Sequence, residues 1–306
     1  MNGFYNIHKP AGMSSAAVVA VMRRLTGEKR VGHAGTLDPE AAGVLPIMTG
    51  KAARLFDYLA DKEKEYTAVC AFGARTDTQD ATGTVLETGE DYPDRERIIR
   101  MAGELTGDIR QIPSMYSAIK VGGKPLYLRA RKGEEIDVPE RIVHIESIEV
   151  LGEMPEHAVE LRIRCGRGTY IRTLCDDLGK KCGCPAHMRS LVRTRSGAFA
   201  IGEAMTLEEA RERAEAGTLA GKLLPPDYPL QHIMRADVPE AYARRVINGA
   251  KIPLGAWCTE KTEEGQAIRI YLKGVFWGIA ERRGQELAWK AQIAPEETEE
   301  GQERCE

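Results

Sequence analysis

The chain is organised around a glycine-rich stretch of fifteen residues, Gly32-His33-Ala34-Gly35-Thr36-Leu37-Asp38-Pro39-Glu40-Ala41-Ala42-Gly43-Val44-Leu45-Pro46. Glycine adopts backbone conformations closed to other residues, and a proline disfavours the helical region for the residue before it. We therefore expect a tight loop that holds the carboxylate of Asp38 in a fixed direction. An aspartate in a turn can equally cap the segment that follows, so the pattern alone leaves both interpretations open.

Apolar residues at helical spacing occur on both sides of this loop. The helix before it is predicted to start at Ser14 or Ser15, either of which can serve as N-cap, and to end at Gly27. Its apolar positions are Val18, Val21, Met22 and Leu25. The apolar positions of the helix after the loop are Ala52, Leu55, Phe56 and Leu59. We therefore predict that Asp38 lies in a connection supported by two packed helices.

Two further segments alternate apolar and polar residues as strands do. The first covers residues 64–72 and has Tyr66 near its start, and the second covers residues 159–165. The second strand leads through the turn Gly166-Arg167-Gly168 into a helix with apolar positions Ile171, Leu174, Cys175 and Leu178. A glycine-rich turn of this kind can bind phosphate, but without the full dinucleotide fingerprint it identifies no ligand.

Three prolines within residues 225–229 predict a domain boundary. Beyond it, short alternating runs at residues 267–272 and 275–280 are separated by glycines and predict a small β-barrel. We therefore divide the chain into a first domain over residues 1–229, a second over residues 230–294, and an acidic, disordered tail over residues 295–306.

The charge of the chain is unevenly distributed. Its 306 residues carry a net charge of −3, but the tail holds six Glu and one Arg, whereas residues 110–195 hold 16 Lys and Arg against 11 Asp and Glu. A basic middle suits a polyanionic substrate such as RNA without establishing one. No apolar run reaches the length of a membrane span and no signal peptide is recognisable. Because the seven cysteines form no regular framework, we expect a cytoplasmic protein without a membrane partner.

Five motifs of this chain resemble those of the tRNA pseudouridine-55 synthases, the TruB family, which isomerise the uridine at position 55 in the T loop of tRNA. They are the Asp38 loop, the run from Lys9 to Ser15, Lys64-Glu65-Tyr66, the run from Gly168 to Leu174, and the run from His187 to Gly197. The resemblance implies an α+β fold with a mixed, mainly antiparallel sheet flanked by helices, followed by a small PUA-like β-barrel that binds RNA. It also implies an insertion that grips the RNA at about residues 110–140.

The same resemblance implies roles for individual residues. Asp38 is the catalytic carboxylate, Tyr66 stacks on the target base, and Arg172 pairs with Asp38. The implied substrate contacts are His33 in the gap left by the flipped base, Tyr170 beside the base, Leu191 at the wall of the uracil pocket, and Lys9 in the first motif. The pairing is physically coherent, because a guanidinium orients a carboxylate through charge-assisted hydrogen bonds.

The implied reaction needs no further component. Isomerisation imports no group and oxidises nothing, so we expect neither a cofactor nor a metal. The expected substrate is the T stem-loop of tRNA, and we expect the enzyme to act as a monomer without a protein partner.

Other functions fit parts of the same pattern. A tRNA-binding chaperone acting on the elbow region needs the basic surface but not the chemistry of Asp38. A relative that acts on another RNA through a guide RNA would share the fold, although this chain lacks long basic extensions. A glycosidase would need a partner carboxylate that no motif supplies. A zinc site is disfavoured, because the spacing of Cys175, Cys182, Cys184 and His187 matches no common zinc pattern.

Overall fold

A computed structural model describes residues 1–59, 63–117, 119–130, 132–134, 136–255 and 262–294. The acidic tail at 295–306, and Arg131 in the predicted insertion, lie outside these residues. No helix within the described ranges is long and apolar enough to cross a membrane.

The described strands, in chain order, are β1 (Gly3–Lys9), β2 (Val31–His33), β3 (Ala42–Thr49), β4 (Lys64–Phe72), β5 (Ala74–Thr76), β6 (Val85–Thr88), β7 (Gly107–Gln111), β8 (Lys120–Val121), β9 (Lys124–Pro125), β10 (Arg141–Met154), β11 (Ala158–Cys165), β12 (Ala186–Ser196), β13 (Phe199–Ala200), β14 (Met234–Val238), β15 (Ile252–Pro253), β16 (Ala267–Leu272), β17 (Val275–Arg283) and β18 (Glu286–Gln292). The α-helices are α1 (Ser15–Thr26), α2 (Arg95–Gly103), α3 (Leu126–Ala130), α4 (Ile171–Cys182), α5 (Leu207–Glu215) and α6 (Ala243–Ile247). Short 3₁₀ helices cover Gly50–Tyr58, Ile201–Glu203, Leu219–Lys222, Tyr228–Leu230 and Glu240–Tyr242.

The larger sheet has nine strands. Seven of them follow the order β1-β3-β12-β4-β11-β10-β7, while β2 pairs with β3 and β13 pairs with β12. Every pair is antiparallel except β3 with β12. Helices α1, α2, α4 and α5 bury apolar residues against this sheet. The predicted mixed, mainly antiparallel sheet flanked by helices is therefore confirmed.

Strand β4 lies at the centre of this sheet, between β11 and β12. Its residues Tyr66, Ala68, Cys70 and Phe72 are all buried in the main apolar cluster. Alternate residues of a strand point to the same face, so this burial is what the predicted spacing of two requires. The strand therefore places Tyr66 on the face of the sheet that the helices cover.

Of the two helices predicted on either side of the Asp38 loop, the first is confirmed and the second is not. Helix α1 starts after the N-cap Ser14 and ends at Gly27, which has a φ of 68°, so its predicted bounds are confirmed. The second predicted helix is instead the 3₁₀ helix Gly50–Tyr58. A 3₁₀ helix has three residues per turn, so residues three apart stay aligned and residues four apart diverge. Accordingly Ala52 and Leu55 are buried, whereas Phe56 is exposed.

The smaller sheet has five strands in the order β14-β16-β17-β18-β15, all within the predicted second domain. Strands β14 and β16 are parallel and the remaining pairs are antiparallel. Apolar residues of this segment form a cluster of their own, which includes Val246, Ile252, Ile270 and Leu287.

The two sheets share a second apolar cluster, which we call the junction cluster. Its buried members are Phe4, Val44, Met48, Ala52, Leu55, Phe199, Leu230, Ile233, Tyr271, Phe276, Ile279, Ala291 and Ile293. The cluster contains residues from both sides of the proline-rich boundary. The division at residue 230 therefore separates two segments that pack together, and their independent folding stays a prediction.

Candidate active site

Asp38 lies in the loop between β2 and β3, not between two helices. Strands β2 and β3 form a hairpin in which Val31 pairs with Thr49 and His33 with Ile47. The prediction of flanking helices was wrong, because β3 was not recognised as a strand. Strand β3 is almost completely buried, and a strand buried on both faces has a near-continuous apolar sequence without the alternation that identifies a strand. The loop turns at Asp38, whose carbonyl accepts a hydrogen bond from the N–H of Ala41. The Asp38 side chain is 41% exposed.

The motif from Lys9 to Ser15 contacts this loop through the buried side chain of Lys9. Lys9 is fully buried, and its Nζ donates to the carbonyls of Pro10, Met13 and Pro39 at 2.8, 2.5 and 2.8 Å. Burial lowers the pKa of Lys9 to about 8, opposed by the nearby carboxylates of Glu40 and Asp38. The resemblance implied a substrate contact for Lys9. In this conformation the side chain has no exposed surface for one, and its contacts brace the loop instead.

Arg193 of β12 holds the other side of the loop and was missed by the sequence analysis. Its guanidinium is fully buried. Nε donates to the carbonyl of Val44 at 2.7 Å, Nη1 to that of Thr36 at 3.3 Å, and Nη2 to that of Gly35 at 3.1 Å. A glycine is required where β3 meets this strand, because a Cβ on Gly43 would lie 2.2 Å from the carbonyl oxygen of Arg193. The only sequence signal is that Arg193 lies two residues after Leu191, in phase with the buried face of the strand.

Arg172, in the first turn of α4, lies beside Asp38 as the resemblance implied. Its side chain is 5% exposed, and its Nε is 3.0 Å from Oδ2 of Asp38. The two atoms are at ion-pair distance, but the N–H does not point at the oxygen closely enough for a hydrogen bond. The pair is therefore held by one nitrogen and is not the bidentate arrangement that an arginine and a carboxylate often form.

The remaining nitrogens of Arg172 are fixed by two other segments. Nη1 donates to the carbonyl of Thr78 at 3.0 Å and lies 3.4 Å from Oδ2 of Asp80, while Nη2 donates to the carbonyl of Tyr116 at 3.0 Å. Asp80 is itself fixed, because its Oδ1 accepts hydrogen bonds from the hydroxyls of Thr78 and Thr82. These anchors could not be predicted from the sequence, since they lie more than fifty residues from Arg172 along the chain.

The two tyrosines are positioned differently. Tyr66 is 7% exposed, and burial raises the pKa of its phenol although nearby Arg193 opposes the shift. Tyr170 precedes α4, and the side chain of Gln111 holds its backbone by accepting from its N–H at 3.1 Å and donating to its carbonyl at 3.3 Å. Burial also raises the pKa of Tyr170. Both phenols are therefore neutral at physiological pH.

His33 and Leu191 lie on the strands that flank the loop. His33 ends β2, and its Nδ1 is buried without a hydrogen-bond partner in the described structure. Burial, and to a smaller degree Arg193, lower its pKa, so the imidazole is neutral at physiological pH. Leu191 lies opposite Ala68 of β4 and belongs with Tyr66 to the main apolar cluster.

The cysteine-rich segment is packed rather than arranged around a centre. Cys175, Cys182 and Cys184 are buried, and His187 uses its Nδ1 in a contact of 2.9 Å with the carbonyl of Ala74. Throughout the described ranges, no group of three or more His, Cys, Asp and Glu side chains is arranged to hold a metal ion.

Solved structures define the class of this fold. The chain resembles one in the crystal structure of a Cbf5-Nop10-Gar1 complex with a TM-score of 0.70 and 26% identity, covering 91% of this chain and 78% of that one. A chain in an H/ACA RNP bound to a substrate RNA containing 2′-deoxyuridine matches with a TM-score of 0.71, over 96% of this chain and 85% of that one. Because the two sequences are only 23% identical, this match supports the fold alone. The fold is that of the pseudouridine synthases, which confirms the predicted α+β class.

Sequence comparisons narrow this class to one family. Residues 23–171 match the N-terminal domain of TruB family pseudouridylate synthases, and residues 172–231 match the C-terminal domain of tRNA pseudouridylate synthase B. Proteins named tRNA pseudouridine synthase B are 42% identical in Alkaliphilus oremlandii, over 94% of this chain and 95% of that protein, and 39% identical in Bacillus subtilis, over 89% of each. The chain belongs to the TruB family of pseudouridylate synthases and is therefore an isomerase.

Proposed function

We propose that this enzyme converts uridine 55 in the T loop of tRNA to pseudouridine, by flipping the base into the site around Asp38 and without a cofactor. The family and the names of its relatives support a tRNA substrate. The position in the tRNA rests on the resemblance of the five motifs. The observation that carries the proposal is the exposed Asp38 carboxylate held 3.0 Å from the buried guanidinium of Arg172.

The reaction defines what the site must do. The bond between N1 of uracil and C1′ of ribose breaks, the uracil turns while it stays bound, and C5 forms the new bond to C1′. C5 then loses its proton and N1 gains one, so the product is an isomer of the substrate. Atoms and electrons balance without an oxidant or a second substrate. The reaction therefore needs only a group that acts on the nucleotide and a pocket that holds the base.

Asp38 is the group proposed to act on the nucleotide. It serves either as a nucleophile toward the sugar or the base, or as a general base. Each of these roles requires a carboxylate fixed in direction, which the neighbouring charge of Arg172 and the bracing of the loop by Lys9 and Arg193 supply. A rigid loop brings the carboxylate to the reacting atoms without further loss of entropy.

The proposed pocket holds the base after it leaves its stack, which costs a few kcal/mol. Tyr66 offers a neutral aromatic face for stacking, Leu191 forms a wall and Tyr170 lies alongside. The raised pKa of Tyr66 favours stacking over acceptance of the C5 proton, because the phenolate that would accept it is scarce at neutral pH. A neutral His33 suits stacking on the bases that the flipped nucleotide leaves behind.

The test is a carbodiimide primer-extension assay on a tRNA T-arm transcript, run with the wild type and with Asp38→Asn and without added metal or cofactor. We expect a stop at position 55 with the wild type only, and unchanged binding of the transcript by the variant. Asparagine keeps the shape of aspartate but carries no charge to act on the nucleotide. Tight binding without any stop in the wild type would instead support the chaperone hypothesis or another RNA substrate.

A further inference from the structure

One ammonium group beside the active site has no partner in the described structure. Lys64 starts β4 two residues before Tyr66, so the two side chains leave the strand on the same face. The residue is partly buried, and no described residue forms a hydrogen bond or ion pair with its Nζ. Lys9, in contrast, donates to three carbonyls. Burying part of an unpaired charge costs free energy. An anionic ligand that pairs with Lys64 would offset this cost.

Lys64 lies directly against the Asp38 loop. Its Nζ is 3.7 Å from the point that a Cβ on Gly35 would occupy, and Nη1 of Arg193 is 3.9 Å from the same point. Burial lowers the pKa of Lys64, and the positive charges of Arg193 and Arg167 add to this effect. Two cations, Lys64 and Arg193, therefore meet at Gly35, which lies three residues before Asp38 in the sequence.

A cavity of about 110 Å³ opens at this point, and Gly35, Lys64, Arg167 and Gly197 are among its lining residues. Arg167 is exposed in the Gly166-Arg167-Gly168 turn and has no hydrogen bond or ion pair to any described side chain or backbone group. Asp57 and Glu63 also line the cavity, but both are exposed, so water and salt screen their charges.

We propose that Lys64 and Arg167 form a subsite for one phosphodiester of the RNA strand, next to the nucleotide that reacts. This inference rests on the proposed function and extends it from the base to the backbone. A nucleotide flips by rotation about its backbone, so a phosphate held beside the pocket fixes the axis of that rotation. Lysine supplies a point charge and arginine a planar fork, both suited to phosphate oxygens. Contacts of this kind position the RNA without reading its sequence.

The experiment measures binding of T-arm hairpins in which one phosphate at a time is replaced by a neutral methylphosphonate. All proteins carry Asp38→Asn so that the RNA stays unmodified, and Lys64→Gln and Arg167→Gln are added singly. The control is Lys181→Gln, at the far end of α4, where Lys181 pairs with Glu104 in an exposed ion pair. We expect Lys64→Gln to weaken binding about tenfold, as loss of a charge-assisted hydrogen bond does, and the control to change it little.

The decisive result is coupling between the residue and one phosphate. One methylphosphonate should weaken binding by the parent about tenfold and add no loss to Lys64→Gln. Unchanged affinity of Lys64→Gln, or equal losses in parent and variant at every phosphate, would overturn the subsite. A lowered melting temperature with unchanged affinity would make Lys64 a structural partner of Asp57 or Glu63 instead.

A parallel assay separates this inference from the proposed function. Isomerisation of the unmodified hairpin by the wild type, without coupling of any phosphate to Lys64, overturns the subsite and leaves the function intact. If the hairpin is no substrate, the same variants are compared on unfractionated tRNA. The slope of log affinity against log salt concentration is negative, and its magnitude should then fall by about 0.7–0.9 when the phosphate contact is lost; an unchanged slope would overturn the subsite.

Discussion

The Asp38 loop and the junction cluster are both central to this molecule, but they are held together in opposite ways. The loop is fixed by two buried cations, Lys9 and Arg193, which donate to its backbone carbonyls. The junction cluster is fixed by apolar side chains from both sheets. Hydrogen bonds depend steeply on direction, whereas apolar burial depends mainly on area. The site therefore gains a defined geometry, and the junction gains stability without demanding a particular orientation.

Burying Arg193 carries a free-energy penalty. A buried guanidinium loses its hydration, and its carbonyl partners carry no full charge to compensate. No carboxylate in the described part of the chain forms an ion pair with it. An apolar residue of similar size would avoid this penalty, but it would leave the loop carbonyls unpaired. We infer that Arg193 is a positioning residue, which fixes the geometry of Asp38 and pairs loop carbonyls that would otherwise be buried without a donor.

The largest expected effect is that of Arg193→Lys. A lysine keeps the charge but cannot reach the carbonyls of Gly35, Thr36 and Val44 together. We expect turnover to fall about 100-fold, since a displacement of about 1 Å costs that much. We also expect the free energy of unfolding to fall by about 2–4 kcal/mol, because each unpaired buried carbonyl costs about 1–3 kcal/mol. Single-turnover kinetics and urea unfolding measure the two quantities.

The matched control is Arg189→Lys in the same strand. Arg189 donates to the carbonyls of Pro155 and Glu156 at a surface turn, so its replacement should change turnover and stability little. If Arg193→Lys kept wild-type turnover while losing stability, the loop would not depend on Arg193 for its geometry, and the contrast with the junction cluster would disappear.

The next effect is that of Phe276→Ala in the junction cluster, which should lower stability without lowering turnover. Truncation of a buried phenylalanine costs about 3–5 kcal/mol of stability, and Phe276 is 9% exposed. Turnover of the folded enzyme should stay within about twofold of wild type, because the loop keeps all its hydrogen bonds. Val275→Ala, at an exposed position of the same strand, serves as the control. A large loss of turnover with little loss of stability would show that the junction sets the geometry of the site.

The same division explains which features could be predicted from the sequence. Strand β4 and helices α1 and α4 could be predicted because their apolar residues recur at the spacing of a strand or a helix, and because Ser14 and Gly27 cap α1. Strand β3 could not be recognised in this way, since both its faces are buried and it contains Pro46, a residue that argues against a strand. Its strand conformation depends on its neighbours β1 and β12, which are distant in sequence.

The polar supports of the site were the hardest features to predict. Asp38 and Arg172 were identified by resemblance, but Lys9 and Arg193 are charged residues, which are usually exposed. Their burial follows only when the carbonyls of a loop from another part of the chain provide acceptors. Thr78 and Tyr116, which orient Arg172, act through backbone carbonyls, and a backbone contact leaves no signature in the side chain.

The smallest expected effect tests the electrostatics of the loop through His33. Burial, and then Arg193, lower the pKa of His33 below its usual 6.5. Between the lowered pKa and 6.5 the unfolded chain binds a proton that the folded protein does not, so this group lowers the free energy of unfolding as the pH falls through that window. His33→Asn removes the group, so the stability of wild type relative to the variant should be constant above about pH 7.5 and decrease below about pH 6.5. Urea unfolding of both proteins from about pH 5 to pH 8 measures the difference. Adding Arg193→Met to the wild type and to His33→Asn should weaken the pH dependence without abolishing it, because burial is the larger cause of the lowered pKa. If the wild type instead gained stability relative to His33→Asn in acid, His33 would face a carboxylate rather than Arg193.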